Sequence, residues 1–191
     1  MGRILALDVS ECATGWAVVD AAGPWDLKVV RHGCIVTKPG GKRVGKTEDD
    51  IRRCSEIAAA VQEVVEGWLP RLIVAEMPTG SQRASGAKAQ GMCLGILGAI
   101  RIILDVPCVW ITPQAVKKAA GGVLNASKEQ VQNGVLDYWP HMEFRNKVER
   151  EAVCDALGAL MAARGTDLYL MAASLVGEPA AGADDSPQQR G

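Results

Sequence analysis

The chain is short of the features that mark several common protein classes. Its 191 residues include only two histidines and six cysteines. Cys12, Cys34, Cys54, Cys93, Cys108 and Cys154 stand singly, without the CxxC or Cys/His spacing of a zinc site. They read as reduced residues of an apolar core. No apolar run reaches the roughly 18 residues that a membrane span needs. Met1-Gly2-Arg3 leads into a strand-like run rather than a signal peptide. Both absences point to a cytoplasmic protein with no membrane partner. Aromatic residues make up 4% of the chain. Trp16, Trp25, Trp68, Trp110 and Trp139 fall mostly on apolar faces and read as core rather than as platforms for stacked bases. His32 and His141 are isolated and carry no assignment. No internal repeat and no base-readout motif is visible.

A large excess of one charge is also missing, since the net charge is -1, yet the distribution is uneven. Between Met77 and Lys128 the only acid is Asp105, against Arg83, Lys88, Arg101, Lys117, Lys118 and Lys128. The stretch from Lys38 to Thr47 adds Lys38, Lys42, Arg43 and Lys46 with no acid. A neutral protein can therefore present a basic face.

What is present suits one α/β domain with a sizeable core. The runs Ile4 to Ser10, Thr14 to Asp20 and Leu27 to Val36 read as an antiparallel β meander. Ile51, Cys54, Ile57, Ala58, Val61, Val64, Val65 and Trp68 recur at helical spacing between Asp49 and Leu69, with Pro70 after them. A strand from Leu72 to Glu76, a helix from Gly86 to Leu104 and a strand from Cys108 to Ile111 follow. Helices at Pro113 to Ala120, Ser127 to Trp139 and Val148 to Ala163 complete the pattern, with Ser127 and Gln130 set as a capping box. This order predicts a mixed five-stranded sheet with helices on both faces. From Gly177 on the apolar pattern stops, which predicts a domain over 1–176 and a disordered tail over 177–191.

Asp8 ends the apolar run Ile4-Leu5-Ala6-Leu7, and Glu76 ends Leu72-Ile73-Val74-Ala75 in the same way. A buried strand that closes on a carboxylate is costly unless the charge has a partner. Asp155 lies in an otherwise apolar helical stretch, and Glu151, four residues earlier, projects from nearly the same face. Acids delivered to one place by three separate segments usually mean a divalent metal with oxygen ligands.

These segments carry a family resemblance. Ile4-Leu5-Ala6-Leu7-Asp8 with Thr14-Gly15-Trp16, then His32-Gly33-Cys34-Ile35-Val36-Thr37-Lys38, Ile73-Val74-Ala75-Glu76, Val116-Lys117, Ser127-Lys128 with Gln130-Val131, and Asp155-Ala156-Leu157 occur in the order and spacing of RuvC. The chain resembles this Holliday-junction resolvase family of the RNase H-like superfamily to about residue 163. The resemblance implies Mg²⁺-dependent paired, symmetric nicking of four-way DNA junctions by a homodimer. In that reading Asp8, Glu76 and Asp155 hold two metal ions, with Mn²⁺ able to substitute. Lys117 and Lys128 match basic positions beside the site, for scissile-phosphate contact or charge stabilisation. Lys42, Arg43, Lys46, Arg83, Lys88 and Lys118 are candidates for the DNA backbone.

The chain departs from the family at three places. Ala152 stands where a second aspartate is usual, and Glu151 is expected to take that fourth acidic role. Met77-Pro78-Thr79-Gly80 replaces an aromatic thought to open the junction, and Val9-Ser10 replaces the common Pro-Gly. These differences and the basic loop look more like divergent bacteriophage RuvC enzymes, which cut several branched DNAs such as forks and flaps. Gly91, Gly95 and Gly98 interrupt an apolar helix at about 1 kcal/mol each, which implies close helix packing, either between the subunits of a homodimer or within one subunit.

Three alternatives stay open. Gly40 to Thr47 fits GxxxxGK(S/T), the pattern of a P-loop that cradles nucleotide phosphates. Against it, Thr37-Lys38-Pro39 separates it from the strand, and Glu48, Asp49 and Asp50 crowd the phosphate position. An actin-like ATPase shares the strand-ending aspartate but needs two such lobes. A non-catalytic branched-DNA-binding protein would leave the acids unexplained, since carboxylates beside a phosphate path repel DNA unless a cation intervenes.

Overall fold

A computed structural model describes residues 2–41, 43–80 and 83–174. The strands are β1 (Gly2–Asp8), β2 (Ala13–Ala21), β3 (Leu27–Val36), β4 (Leu72–Glu76) and β5 (Cys108–Ile111). They are joined by α1 (Lys46–Trp68), α2 (Ala84–Ile103), α3 (Pro113–Gly121), α4 (Lys128–Tyr138), α5 (Lys147–Ala163) and α6 (Asp167–Ser174). The five strands lie in the order β3-β2-β1-β4-β5. The expected meander is antiparallel, and β1, β4 and β5 run parallel.

Alternation along β1 sorts its side chains to the two faces of the sheet. Ile4 and Ala6 join Ala17, Val19 and Val74 beneath α3, α4 and α5. Leu5 and Leu7 join Val18, Ile73 and Ala75 beneath α1 and α2. Helices therefore cover both faces, and the paired strands β1 and β4, buried on both sides, read as continuous apolar runs for that reason.

The inner helix α5 can approach the sheet because residue 15 is glycine. A Cβ there would lie 1.9 Å from the Ala152 carbonyl oxygen. Gly15 pairs with Asp8 in the β1–β2 register, so the closest helix–sheet contact falls beside the strand-ending acid. Local caps fix the helix starts. The Ser127–Gln130 capping box opens α4, and Asn146 caps α5 by accepting from the Glu149 amide at 3.0 Å.

The structure corrects several expectations. Ile51 is 64% exposed while Arg53 is buried, because α1 turns Asp49, Asp50 and Arg53 inward with Ile57, Val61 and Val65. Its periodicity is helical, but ion pairs occupy part of the inner face. Trp25 is 62% exposed rather than core, with the Arg164 guanidinium 5.1 Å above its ring. Cys12 is exposed, whereas Cys93 and Cys154 are buried, and all six cysteines are free thiols. α6 was not anticipated; it brings Tyr169 into the core, where its hydroxyl donates to the Pro24 carbonyl at 2.9 Å. α2 is 20 residues long and apolar enough to pass a length-and-composition test for a membrane span. Here it packs on the sheet through Cys93, Ile96, Leu97 and Ile100. The tail over 177–191 lies outside the described residues.

Candidate active site

The parallel register of β1 and β4 sets Asp8 directly beside Glu76. By alternation both carboxylates face the side covered by α5, and α5 supplies Asp155. All three line one cavity of about 220 Å³ together with Lys117 of α3 and Lys128 of α4. Pro113, Val116, Ala126 and Val131 give it an apolar floor. Lys128 stands at the first position of α4, immediately after the Ser127 cap, and its Nζ lies 3.6 Å from Asp155 Oδ2.

The electrostatics are unfavourable for three acids alone. Burial pushes the Asp8 carboxyl well above the usual aspartate range, and the charges of Asp155 and Glu76 add to the effect. Burial and Asp155 raise Glu76 from 4.5 to about 7. Asp155 is raised by burial and opposed by the Lys128 ammonium. The lysines oppose the trend without cancelling it.

The donor set is hard oxygen, which suits Mg²⁺ or Mn²⁺. Among the described residues no group of three His, Cys, Asp or Glu side chains stands close enough together to hold a metal ion as placed.

Other predicted residues fall into distinct places. Glu151 is not in the cavity wall; it lies one turn before Asp155, pairs with Lys147 at 3.7 Å, and is near enough to raise Asp155. Ala152, at the position of the family's aspartate, is buried with its carbonyl against Gly15. Arg43, Lys46 and Lys118 are exposed. Arg83, also exposed, precedes the first turn of α2. Lys88 is committed elsewhere, to an ion pair with the buried Asp50 that ties α2 to α1. Lys42 lies outside the described residues.

The geometry weighs further against the P-loop alternative. α1 begins at Lys46, and the Asp49 carboxylate folds back onto Gly40, whose backbone lowers its pKa, with Arg52 adding to the effect. A Cβ at Gly40 would meet Asp49 Oδ1 at 2.8 Å. An acid of the chain fills the place a phosphate would need.

Two buried ionic groups escaped the sequence reading. Glu149 is 4% exposed and held by the Arg145 guanidinium at 3.0 Å and by the Arg145 amide at 2.7 Å. It borders a cavity of about 520 Å³ at the β3 edge, but both its oxygens are satisfied. Arg53 is the second, bound to Glu11 and Thr37. Its i, i+4, i+8 spacing with Ile57 and Val61 was the available signal.

Comparison with known proteins bears on this arrangement. The family model described as Crossover junction endodeoxyribonuclease RuvC matches residues 4–162. The RuvC of Moorella thermoacetica is 30% identical over 154 residues, covering 81% of this chain and 86% of that protein. The RuvC of Rhizobium rhizogenes is 26% identical over 155 residues, with the same coverage. Among solved structures, Thermus thermophilus RuvC in complex with a Holliday junction substrate is similar at TM-score 0.69 and 22% identity. The match covers 85% of this chain and 92% of that one. The yeast mitochondrial Holliday junction resolvase Ydc2 is similar at TM-score 0.61 and 9% identity, covering 92% and 82%. At these identities the structural likenesses carry the fold.

Proposed function

Because the chain belongs to the RuvC family of crossover junction endodeoxyribonucleases, we propose that it resolves four-way DNA junctions by hydrolysing phosphodiester bonds at the Asp8–Glu76–Asp155 cavity. One observation carries the assignment to this site: three half-buried carboxylates from β1, β4 and α5 converge in a cavity edged by two lysines, each with its pKa raised first by desolvation, and Asp155 raising both Asp8 and Glu76 further. A structural role would not gather like charges there, whereas a divalent cation would neutralise them.

Asp8, Glu76 and Asp155 are the proposed ligands of two Mg²⁺ ions, with Mn²⁺ able to replace them and Glu151 as a fourth acid behind Asp155. When bound, such ions neutralise phosphate charge and activate water. The chain's own part is to hold the carboxylates in register and release their protons as the cation enters. Lys128, paired with Asp155 in the free protein, is placed to transfer its charge to a phosphate oxygen, and Lys117 supports it from α3. Val116, Ala126 and Val131 exclude bulk water from one wall, which strengthens every charge interaction inside. Arg43, Lys46, Arg83 and Lys118 give sequence-independent contact to backbone phosphates.

Paired nicks need two such sites, and α2 offers the contact. Among the described residues nothing lies within 4 Å of a Cβ at Gly91, Gly95 or Gly98, so packing against those residues does not account for these glycines. Leu94, Ile102 and Ile103 are 47%, 78% and 72% exposed. A second copy docking on this face gives a homodimer, with Met77, next to Glu76, in the adjoining groove. Action on cytoplasmic DNA, in a bacterium or a phage-infected cell, accompanies this reading.

The test is cleavage of a labelled four-way junction, a replication fork and a linear duplex with Mg²⁺, Mn²⁺ or EDTA. Paired symmetric nicks in the branched substrates, absent in EDTA, are expected. No cleavage with either metal would refute the reading.

A further inference from the structure

Arg53 is the only buried arginine or lysine among the described residues, at 4% exposure. Burying a guanidinium is costly unless its donors are met, and an apolar residue would serve stability at least as well. Each of its partners lies in one of two places. Nη1 donates to Glu11 Oε1, and Nη2 donates to the Glu11 carbonyl at 2.8 Å and to Cys12 Sγ at 3.3 Å. These acceptors belong to the turn that leaves Asp8. Nε donates to Thr37 Oγ1 at 2.9 Å, and Thr37 is the root of the basic loop that carries Arg43 and leads to Lys46 at the start of α1.

The two places are also tied to each other. The Thr37 hydroxyl donates to the Glu11 carbonyl, and the Thr37 amide donates to the Cys12 carbonyl at 3.2 Å. Arg53 therefore closes a network whose other members are the turn after Asp8 and the first residue of the loop.

We infer that Arg53 is a positioning residue for the cleavage reaction: it locks the turn after Asp8 to the root of the basic loop, so that DNA backbone held by the loop sits in fixed register over the acidic cavity. The inference rests on the nuclease reading. It predicts that loosening the network leaves DNA affinity nearly intact, because the loop keeps its charges, while the bound phosphate is misplaced. Displacement of reacting groups by about 1 Å costs on the order of 10²-fold in rate.

The experiment compares full-length wild type, Arg53→Lys, Thr37→Val and a control, Val61→Ala, which loosens α1 away from the network. Junction affinity is measured with Ca²⁺ in place of Mg²⁺, single-turnover cleavage at saturating enzyme with Mg²⁺, and folding by thermal melting. Arg53→Lys is expected to bind the junction within about threefold of wild type and to cleave it at least about tenfold more slowly. Thr37→Val, which keeps shape and removes both hydroxyl contacts, is expected to show the same split more weakly. A rate within twofold of wild type in both variants would overturn the inference. So would a rate loss that Val61→Ala reproduces at an equal fall in melting temperature. Failure of wild type to cut with any metal would instead overturn the nuclease reading beneath it.

Discussion

Glu149 and Asp155 lie six residues apart on α5 and meet opposite fates. Glu149 is buried near the helix start, where the Arg145 guanidinium and amide hold its carboxyl below the usual range. Asp155 is half-buried where the sheet brings two further acids, and desolvation pushes its carboxyl up, with only Lys128 in opposition. On the proposed reading the two sites separate a structural acid from a functional one. The chain gives Glu149 its counter-charge, whereas it leaves Asp155 short of one.

The same contrast fixes opposite responses to pH. Glu149, with a lowered pKa, contributes stability that is present above the ordinary glutamate range and lost as pH falls through its folded value. Glu76, raised from 4.5 to about 7, behaves inversely. Its contribution is complete below about 4.5 and is lost as pH rises through about 7. Asp8 and Asp155 share that sign.

The largest expected effect comes from exchanging the charge at each site. Asp8→Asn should lower metal-dependent junction cleavage by at least about 10²–10³-fold, the scale for removing a preorganised charge from a reaction centre. Glu149→Gln should leave the single-turnover rate within a few-fold of wild type. If both variants lose activity equally, the contrast between the sites breaks.

Lys128→Ala should slow cleavage by about 10–10²-fold. Loss of the ammonium should also raise the acids further, so the rate needs a higher pH to reach its plateau. The pH–rate profile checks this: an unshifted profile would leave Lys128 only a phosphate contact. Glu151→Gln should cost less than Asp155→Asn in the same assay, and no loss of rate would remove Glu151 from the acidic set.

Asp8, Glu76 and Asp155 were legible in the sequence because an acid that ends or interrupts an apolar run has few structural uses. The five-stranded sheet was legible for the same reason: continuous apolar runs are what strands covered on both faces require. Arg53 and Glu149 were not legible. Each occupies an amphipathic helix where a charged residue normally faces water, and each is buried because a partner outside that helix meets it, the distant Glu11 and Thr37 in one case, Arg145 just before the helix start in the other. The exposure of Trp25 was hidden too, since its stack with Arg164 joins residues far apart in sequence. Gly40 to Thr47 fits a phosphate-cradle pattern that the sequence already weighed against, and the Asp49 carboxylate against Gly40 weighs against it further.

A smaller effect sharpens the structural side of the comparison. Arg145→Ala should lower stability by about 1–3 kcal/mol, since it leaves a buried carboxylate without its main hydrogen-bond donor. Cleavage measured below the new melting temperature should be unchanged. A loss of activity there would place Glu149 in the reaction rather than in the scaffold.

The most direct test of the account is thermal melting of wild type and Asp8→Asn at pH 8, with EDTA and with Mg²⁺. A gathering of acids that lacks a cation stores repulsion, so without metal Asp8→Asn should melt above wild type, by about 2–4 °C for each kcal/mol relieved. Mg²⁺ should raise wild type and leave the variant nearly unmoved, closing or reversing the gap. Asp8→Asn melting below wild type in EDTA, with no response of wild type to Mg²⁺, would contradict the claim that these acids are held short of a counter-charge for a divalent ion.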